Sequence, residues 1–400
     1  MQSASNPFSI FIVFLKLGLT SFGGPSAHIG FFHKEFVTDK EWLSDHSFTN
    51  YLALCQFLPG PASSQLGFII GFLRGGYLGA IAAFIGFTLP SIIALVSFAL
   101  FIQSGFESDD SLMFLLTGLK WCAVVVVADA LYKMFNQHCI NIFTKIVFSV
   151  STFALLFLPN MSHLLVLVTV FISGCFWRNS TFSQSPSPVT QSPISITTGV
   201  FSLLLFITLL LVAVVSTESQ IESQVLLNLS LQFFQSGALV FGGGHVVLPM
   251  LEVHTVDAGY ITPQHFTAGY GAAQLIPGPL FSFVSYLAVF SSEPNQIALT
   301  VGILTIALFL PGFLLIFSVV PFWQSVMSHP LLQSGVKAVN AAVVSILLVG
   351  FYDPIVQSAI TGLIDVIACI LGIALVFKYK LSVLKLASIL CSLAFLSSLL

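Results

Sequence analysis

The sequence predicts an all-α polytopic membrane protein built from two inverted-topology repeats. Three observations predict it: long runs without charge, an internal duplication, and the placement of the few basic residues.

Apolar residues make up 56% of the 400 positions and charged residues only 7%, against roughly 25% in a soluble domain. Residues 75–106, 146–177, 258–292 and 294–336 contain no Asp, Glu, Lys or Arg. Each run exceeds the roughly 20 residues that carry a helix across a hydrocarbon core. Short alternating segments with frequent turns are missing, so the spans read as helices and not as a barrel. Roughly ten to thirteen spans are expected, several of them short or broken by Gly and Pro.

Composition also excludes several classes. A net charge of −3 without a basic patch leaves no surface for nucleic acid. The 41 Phe are packing and lipid-facing material before they are a stacking surface. Six cysteines, at 55, 122, 139, 175, 369 and 391, show no CxxC spacing. They read as small buried hydrophobes, with no metal cluster and no disulfide framework. No cofactor is expected. The first residues, MQSASNPF, have neither a charged leader nor a cleavage site, so a cleaved signal peptide is not expected. The expected location is an inner or plasma membrane, multi-pass.

The duplication is explicit. Phe22-Gly23-Gly24 recurs as Phe241-Gly242-Gly243, and Gln56-Phe57-Leu58-Pro59-Gly60-Pro61 as Gln274-Leu275-Ile276-Pro277-Gly278-Pro279. Phe22 and Phe241 are 219 residues apart, Gln56 and Gln274 218, which one inserted residue explains. Leu89-Pro90 matches Leu310-Pro311, and Gly118-x-Lys120 matches Gly335-x-Lys337. Order and spacing persist over about 120 residues, which chance does not produce. The expected division is a repeat at 1–178, a linker at 179–198 and a repeat at 199–400. Residues 179–195 are Ser-, Thr-, Gln- and Pro-rich and uncharged, as a flexible connection would be.

Basic residues mark the cytoplasmic side. Arg74, the Lys133–Lys145 loop and Arg178 fall on one side of the first half, with acidic residues 107–110 opposite. Lys378, Lys380 and Lys385 mark a cytoplasmic loop in the second half. Counting back across 355–377 puts Asp353 outside, unless Asp353-Pro354 is a hinge inside one element. An extra helix near 199–216 makes the span count between equivalent points odd. The halves are therefore expected in opposite orientations, a plan of secondary transporters that bind substrate at the repeat interface.

The Pro-Gly-Pro breaks carry the functional reading. Pro59 and Pro61 cannot donate backbone hydrogen bonds, and Gly60 supplies backbone freedom. Such a break at membrane depth survives only against protein or a water-filled cavity. The helix starting after Pro61 would present free N–H groups beside Ser63, Ser64 and Gln65, a ready anion site. Pro277, Gly278 and Pro279 repeat the geometry, followed by Ser282 and Ser285. One such break alone would favour a simple kink. Two at matched positions, each introduced by a glutamine (Gln56, Gln274), favour a site. Gly23, Gly24, Pro25 and Ser26, and Gly242, Gly243, Gly244 and His245, form the second motif pair. Taken alone, each is as readily an anion nest as tight helix packing. Their position before both breaks shifts the balance to the site.

Charged residues inside the spans are candidates for charge balance or coupling. Lys120 and Lys337 occupy equivalent positions. Either could balance a dianion, though snorkelling or pairing at a helix end is favoured. Asp129 is a candidate proton relay or a helix-end residue. His245 leads the nine histidines as a ligand or proton site, although a lone His beside glycine is more often structural. Walker, GxGxxG, HExxH and GxSxG motifs are absent, which argues against an ATP-driven mechanism and an enzyme.

Residues 15–37 (LKLGLTSFGGPSAHIGFFHKEFV), 51–91, 236–252 (SGALVFGGGHVVLPMLE) and 271–288 (GAAQLIPGPLFSFVSYLA) resemble the chromate ion transporter family in its long two-repeat form. The resemblance covers most of both halves. It implies a membrane carrier that exports chromate, with sulfate as a mimic, driven by an ion or proton gradient. It also implies opposed halves, and is compatible with a homo-oligomer. Its motif residues map onto Gly23, Gly24, Pro25, Pro59, Gly60 and Pro61, and onto Gly242, Gly243, Gly244, Pro277, Gly278 and Pro279. The second half departs from the first in placing Gly244-His245 where the first has Pro25-Ser26. The alternatives are transport of sulfate or another inorganic anion and, from other classes, a membrane-embedded enzyme or a non-transporting subunit.

The orientation argument is tested by reporter fusions after Asp110 and after His329. Opposite sidedness is expected. The same side for both would refute the inversion.

Overall fold

The computed structural model describes residues 6–104, 113–158, 162–177, 194–216 and 225–399, without the side chains of 25, 26, 327 and 328. Regular structure among them is helical throughout. The acidic 107–110 segment, Arg178 and most of the expected linker lie outside the described residues.

The first repeat contains α1 (Pro7–Thr20), α2 (Gly24–His33), α3 (Asp45–Phe57), α4 (Ala62–Gln103), α5 (Met113–His138), α6 (Ile142–Phe157) and α7 (His163–Phe176). The extra helix is α8 (Ile196–Ser216). The second repeat follows with α9 (Val225–Leu239), α10 (Val247–Thr255), α11 (Pro263–Ala273), α12 (Phe283–Phe290), α13 (Ile297–Val319) and α14 (Trp323–Ser328). It closes with α15 (Pro330–Gly350), α16 (Gln357–Ala359), α17 (Leu363–Tyr379) and α18 (Val383–Ser398).

Local sequence explains many of the boundaries. Asn6, Ser44, Asn141 and Thr262 each accept a backbone N–H at the start of α1, α3, α6 and α11. Pro7 and Pro263 then occupy the first turn, where a missing N–H costs nothing. Among the described residues, five stretches are long and apolar enough to cross a bilayer: 62–103, 113–138, 196–216, 294–326 and 330–359. Six shorter apolar helices accompany them. Short and broken spans were the expectation, and they are found. Asp353-Pro354 is a break between helical pieces: Asp353 has extended dihedrals (φ −126°, ψ +120°) between helical turns on either side, and the chain turns again at 360–362. Asp353 thus separates α15 from the short helical turns that lead to α17.

The 42 residues of α4 would extend about 63 Å if straight, twice a bilayer core. They do not run straight. Gly75 and Gly76 have non-helical dihedrals, with φ of +61° at Gly76. A Cβ on Gly71 would sit 2.5 Å from the Gly79 carbonyl oxygen, although eight residues of straight helix separate two points by about 12 Å. The element is therefore a hairpin. A first arm, 62–74, descends from the Pro-Gly-Pro break, and a second arm, 77–103, returns past it. In the other half α12 and α13 make the same pair of arms, joined by a turn at 291–293.

Packing crosses between the repeats. The second arm of α4 packs on α1, and α13 packs on α9, with α8 laid against both α9 and α13. By contrast, α5 packs on α17 and α18, and α15 packs on α6 and α7. Each repeat thus lends its long helix to the closing hairpin of the other. The α5–α11 contact ties this second body to the first.

Gly18 and Gly237 occupy equivalent positions and do the same work. A Cβ at Gly18 would lie 2.6 Å from the Phe87 carbonyl oxygen on α4, and one at Gly237 would collide with the Leu308 carbonyl on α13. Gly18→Leu and Gly237→Leu should each cost about 1–3 kcal/mol, the usual cost of overpacking. Lower melting temperatures for both variants of the detergent-solubilised protein are expected. Wild-type melting of either would disprove this close packing at its site.

Candidate functional site

Helix α1 has 14 residues and α9 has 15, about 21 and 22 Å of rise, short of a core about 30 Å thick. Both end at their Phe-Gly-Gly turns, so the turns fall at membrane depth, with Phe22 and Gly23 exposed and Phe241, Gly242 and Gly243 half-buried. The glycines there are required by geometry. Gly23, Gly24, Gly242 and Gly243 have φ of +102°, +76°, +75° and +149°, and Gly60 and Gly278 have +119° and +109°. These values are in the region that side-chain-bearing residues avoid.

The motifs meet across the repeats. Gly60 N–H donates to the Val240 carbonyl (2.7 Å), immediately before the second Phe-Gly-Gly. Gly278 N–H donates to the Ser21 carbonyl (3.2 Å), immediately before the first. The mid-helix prolines complete the exchange. A Cβ on Gly60 would lie 3.2 Å from Cα of Gly312, next to Pro311 on α13. A Cβ on Gly278 would lie 2.9 Å from Oγ of Ser91, next to Pro90 on α4. Each break therefore rests on the turn and the proline helix of the other half.

Side chains lock these contacts. Gln65, fully buried, donates from Nε2 to the Pro59 carbonyl (2.8 Å) and the Gly312 carbonyl (3.1 Å). Ser91 Oγ lies 2.8 Å from the Thr88 carbonyl and 2.7 Å from Ser282 Oγ. His28 is buried between the first turn and the first break. Its Nε2 is 3.2 Å from the Ser21 carbonyl, and its Nδ1 3.4 Å from Ser63 Oγ. Ser21 thus links the first Phe-Gly-Gly to both breaks.

The electrostatics follow from the helix ends. The helical segments that begin at the motifs, after Gly23, Pro61, Gly243 and Pro279, have no side-chain cap, unlike α1, α3, α6 and α11. Uncapped N-termini direct partial positive charge into the junction. Ser21 Oγ, Ser64 Oγ, Gln65 Oε1, Thr88 Oγ1 and Gln274 Nε2 are buried there without a hydrogen-bond partner. Buried polar atoms are normally paired, so this concentration is a property of the site.

The second half has its own polar chain. His245 Nδ1 lies 2.5 Å from the Tyr270 hydroxyl, which also bonds the Gln274 side chain. Asp129 and Lys133 on α5, paired with each other at 2.6 Å, lie within electrostatic reach of His245. His138 Nε2 and Asn340 Oδ1, both buried and unpartnered, flank Gly242.

Not every residue singled out from sequence joins the cluster. Gln56 lies on an exposed face of α3. Lys120 Nζ reaches the Ser358 carbonyl (3.4 Å) near Asp365, so it pairs at a helix junction outside the motif cluster. Lys337 stands in α15, on the stretch where Ser334, Gly335 and Ala338 pack against α7. The side chains of Pro25 and Ser26 lie outside the described residues. Conversely, His28, Ser91 and Tyr270 were missed. Gln65 was expected beside Ser63 and Ser64 after Pro61, and the fold adds which carbonyls its amide holds. His28 sits in a quoted motif, but nothing in its spacing says that it faces Ser63.

Reciprocally docked broken helices, inside a shell of bilayer-length apolar helices, define a membrane transporter. The sequence model of the chromate transporter family matches residues 8–176 and 227–396, and the chain belongs to that family. It is 25% identical over 353 residues to a probable chromate transport protein of Synechococcus elongatus, covering 82% of this chain and 79% of that one. It is 24% identical over 342 residues to a chromate transport protein of Pseudomonas aeruginosa, covering 84% and 78%. An uncharacterized transporter of Methanocaldococcus jannaschii is 27% identical over 356 residues, covering 87% and 85%. No solved structure matches the chain.

Gln65→Leu keeps the volume and removes both donated hydrogen bonds. It should destabilise the folded protein by about 1–3 kcal/mol, the cost of stranding buried acceptors. A melting temperature equal to wild type would show that Gln65 does not tie the break to α13.

Proposed function

We propose that the chain is a secondary transporter of a tetrahedral oxyanion, exporting chromate with sulfate as a mimic. The anion binds where the two breaks and the two glycine turns interlock, at the interface of inverted repeats. The reciprocal pairing of Gly60 with Val240 and Gly278 with Ser21 carries this reading. It places backbone breaks from both halves, each opening an uncapped helix, around a common set of unpartnered buried polar atoms. Partial charges of helix ends hold a dianion without a fixed ion pair, which suits release as well as binding. The relatives called chromate transport proteins support chromate as the substrate. The His245–Tyr270 chain beside Asp129 is the place for a coupling proton in the second half. The protein would act in a cell membrane of plasma or inner type.

Uptake of labelled chromate and sulfate into inside-out vesicles tests the substrate. Competition between the two anions is expected, and no flux of either from purified, reconstituted protein would sink the proposal. Gly60→Leu and Gly278→Leu place a side chain at positive φ and against the other half. Each should abolish flux while membrane insertion persists. Unchanged flux in both would remove the breaks from the site.

A further inference from the structure

His28 is 1% exposed, and its two ring nitrogens face unlike partners. Nε2 meets the Ser21 carbonyl, which can only accept, so this nitrogen carries a proton. In the neutral ring Nδ1 is then an acceptor. The long contact to it, 3.4 Å, uses the single hydroxyl proton of Ser63. Ser63 is the second residue of α4, at its uncapped N-terminus. With its proton turned to the ring, it offers an approaching anion only lone pairs. When Nδ1 is protonated the polarity reverses: Nδ1–H donates to Ser63 Oγ, and the hydroxyl proton is released to donate elsewhere. Beside it Ser64 Oγ, on a residue 3% exposed, is buried without a partner. The first turn of α4 therefore holds an unclaimed donor as well as a switchable one.

The charges around α2 are occupied with one another. Lys16 on α1 and Lys40 lie 4.0 and 3.5 Å from Glu35, and His33 lies 2.6 Å from Asp45 at the start of α3. Arg74 ends the first arm of α4 with its guanidinium 5.0 Å from the Trp42 ring centre. Lys34 and Asp39 lie in the wide turn that follows α2. None of these acts on His28, whose ring is bounded by Ser21, Ser63 and the edge of Phe87 at 5.4 Å. Among the described residues no carboxylate stands ready as its counter-charge. A bound dianion would be that counter-charge.

We propose that His28 couples proton uptake to anion binding: protonation of Nδ1 turns Ser63 into a hydrogen-bond donor for a tetrahedral dianion at the start of α4. This rests on the oxyanion reading and adds to it a residue, a proton and a stoichiometry. The protonated form binds the anion more tightly, so affinity rises as pH falls, and binding draws one proton from solution.

The test uses the purified full-length chain and sulfate, which remains a dianion where an imidazole titrates. Between about pH 5.5 and 8 the wild-type dissociation constant should fall by up to about tenfold per unit decrease in pH, the slope of one proton per anion. His28→Gln should bind sulfate with no such slope, and Ser63→Ala should bind more weakly at the acid end with the slope reduced. In weak buffer, a pH-indicating dye should report uptake of about one proton per sulfate bound by the wild type at the alkaline end of this range. A His28→Gln protein that keeps the wild-type slope overturns the assignment and leaves the oxyanion reading standing. If that variant does not fold, the wild-type proton count decides, and zero uptake overturns the proposal. Absence of sulfate and chromate binding by the wild type at every pH overturns both readings together.

Discussion

A backbone amide in a membrane protein's interior needs a partner, and in this protein the amides at the two breaks find theirs in the opposite half. Gly60 N–H reaches Val240, and Gly278 N–H reaches Ser21. Lipid offers no partner to a broken helix at that depth, and here the other half supplies one to each break. The other local features serve this exchange. Positive-φ glycines allow the chain to turn without side-chain clash, and Pro90 and Pro311 lie beside the residues on which the breaks rest.

The two halves are equivalent in backbone and unlike in side chains. Gln65 stitches the first break to α13 with two hydrogen bonds, whereas Ser282 meets Ser91 through a hydroxyl pair. The first half contributes His28 next to a serine, and the second His245 next to a tyrosine and within reach of an aspartate. A duplicated scaffold supplies the paired breaks, and divergence of a few polar residues gives its two sides different polar neighbours. Under the proposed function, that division would let the two sides release a proton under different conditions.

Much of the architecture was legible in sequence because membrane solvent imposes simple rules. Charge-free runs mark spans, and paired Gly and Pro signatures mark breaks. Even α8 was placed to within three residues at its start, at 196 rather than 199. What stayed hidden was pairing between distant segments. Nothing in the run that contains Gln65 says that its amide reaches Gly312, 247 positions away. Lys120 and Lys337 were legible as equivalent, yet only the fold shows Lys120 turned to Ser358. The Gly71–Gly79 contact was equally out of view, because a Gly-Gly pair in an apolar run reads as a kink until the arms are seen folded together.

The exchange of α5 and α15 between the closing hairpins has a consequence for biogenesis. Helix α5 leaves the ribosome well before α17 and α18, its packing partners, exist, and α6 and α7 must wait for α15. The amide of Gly60 waits likewise for Val240. The earlier half is therefore inserted with its inner surfaces still open, and closure is a late, long-range event. Chain truncated between the repeats would leave the Gly60 amide and the packing face of α5 without the partners they have in the full chain.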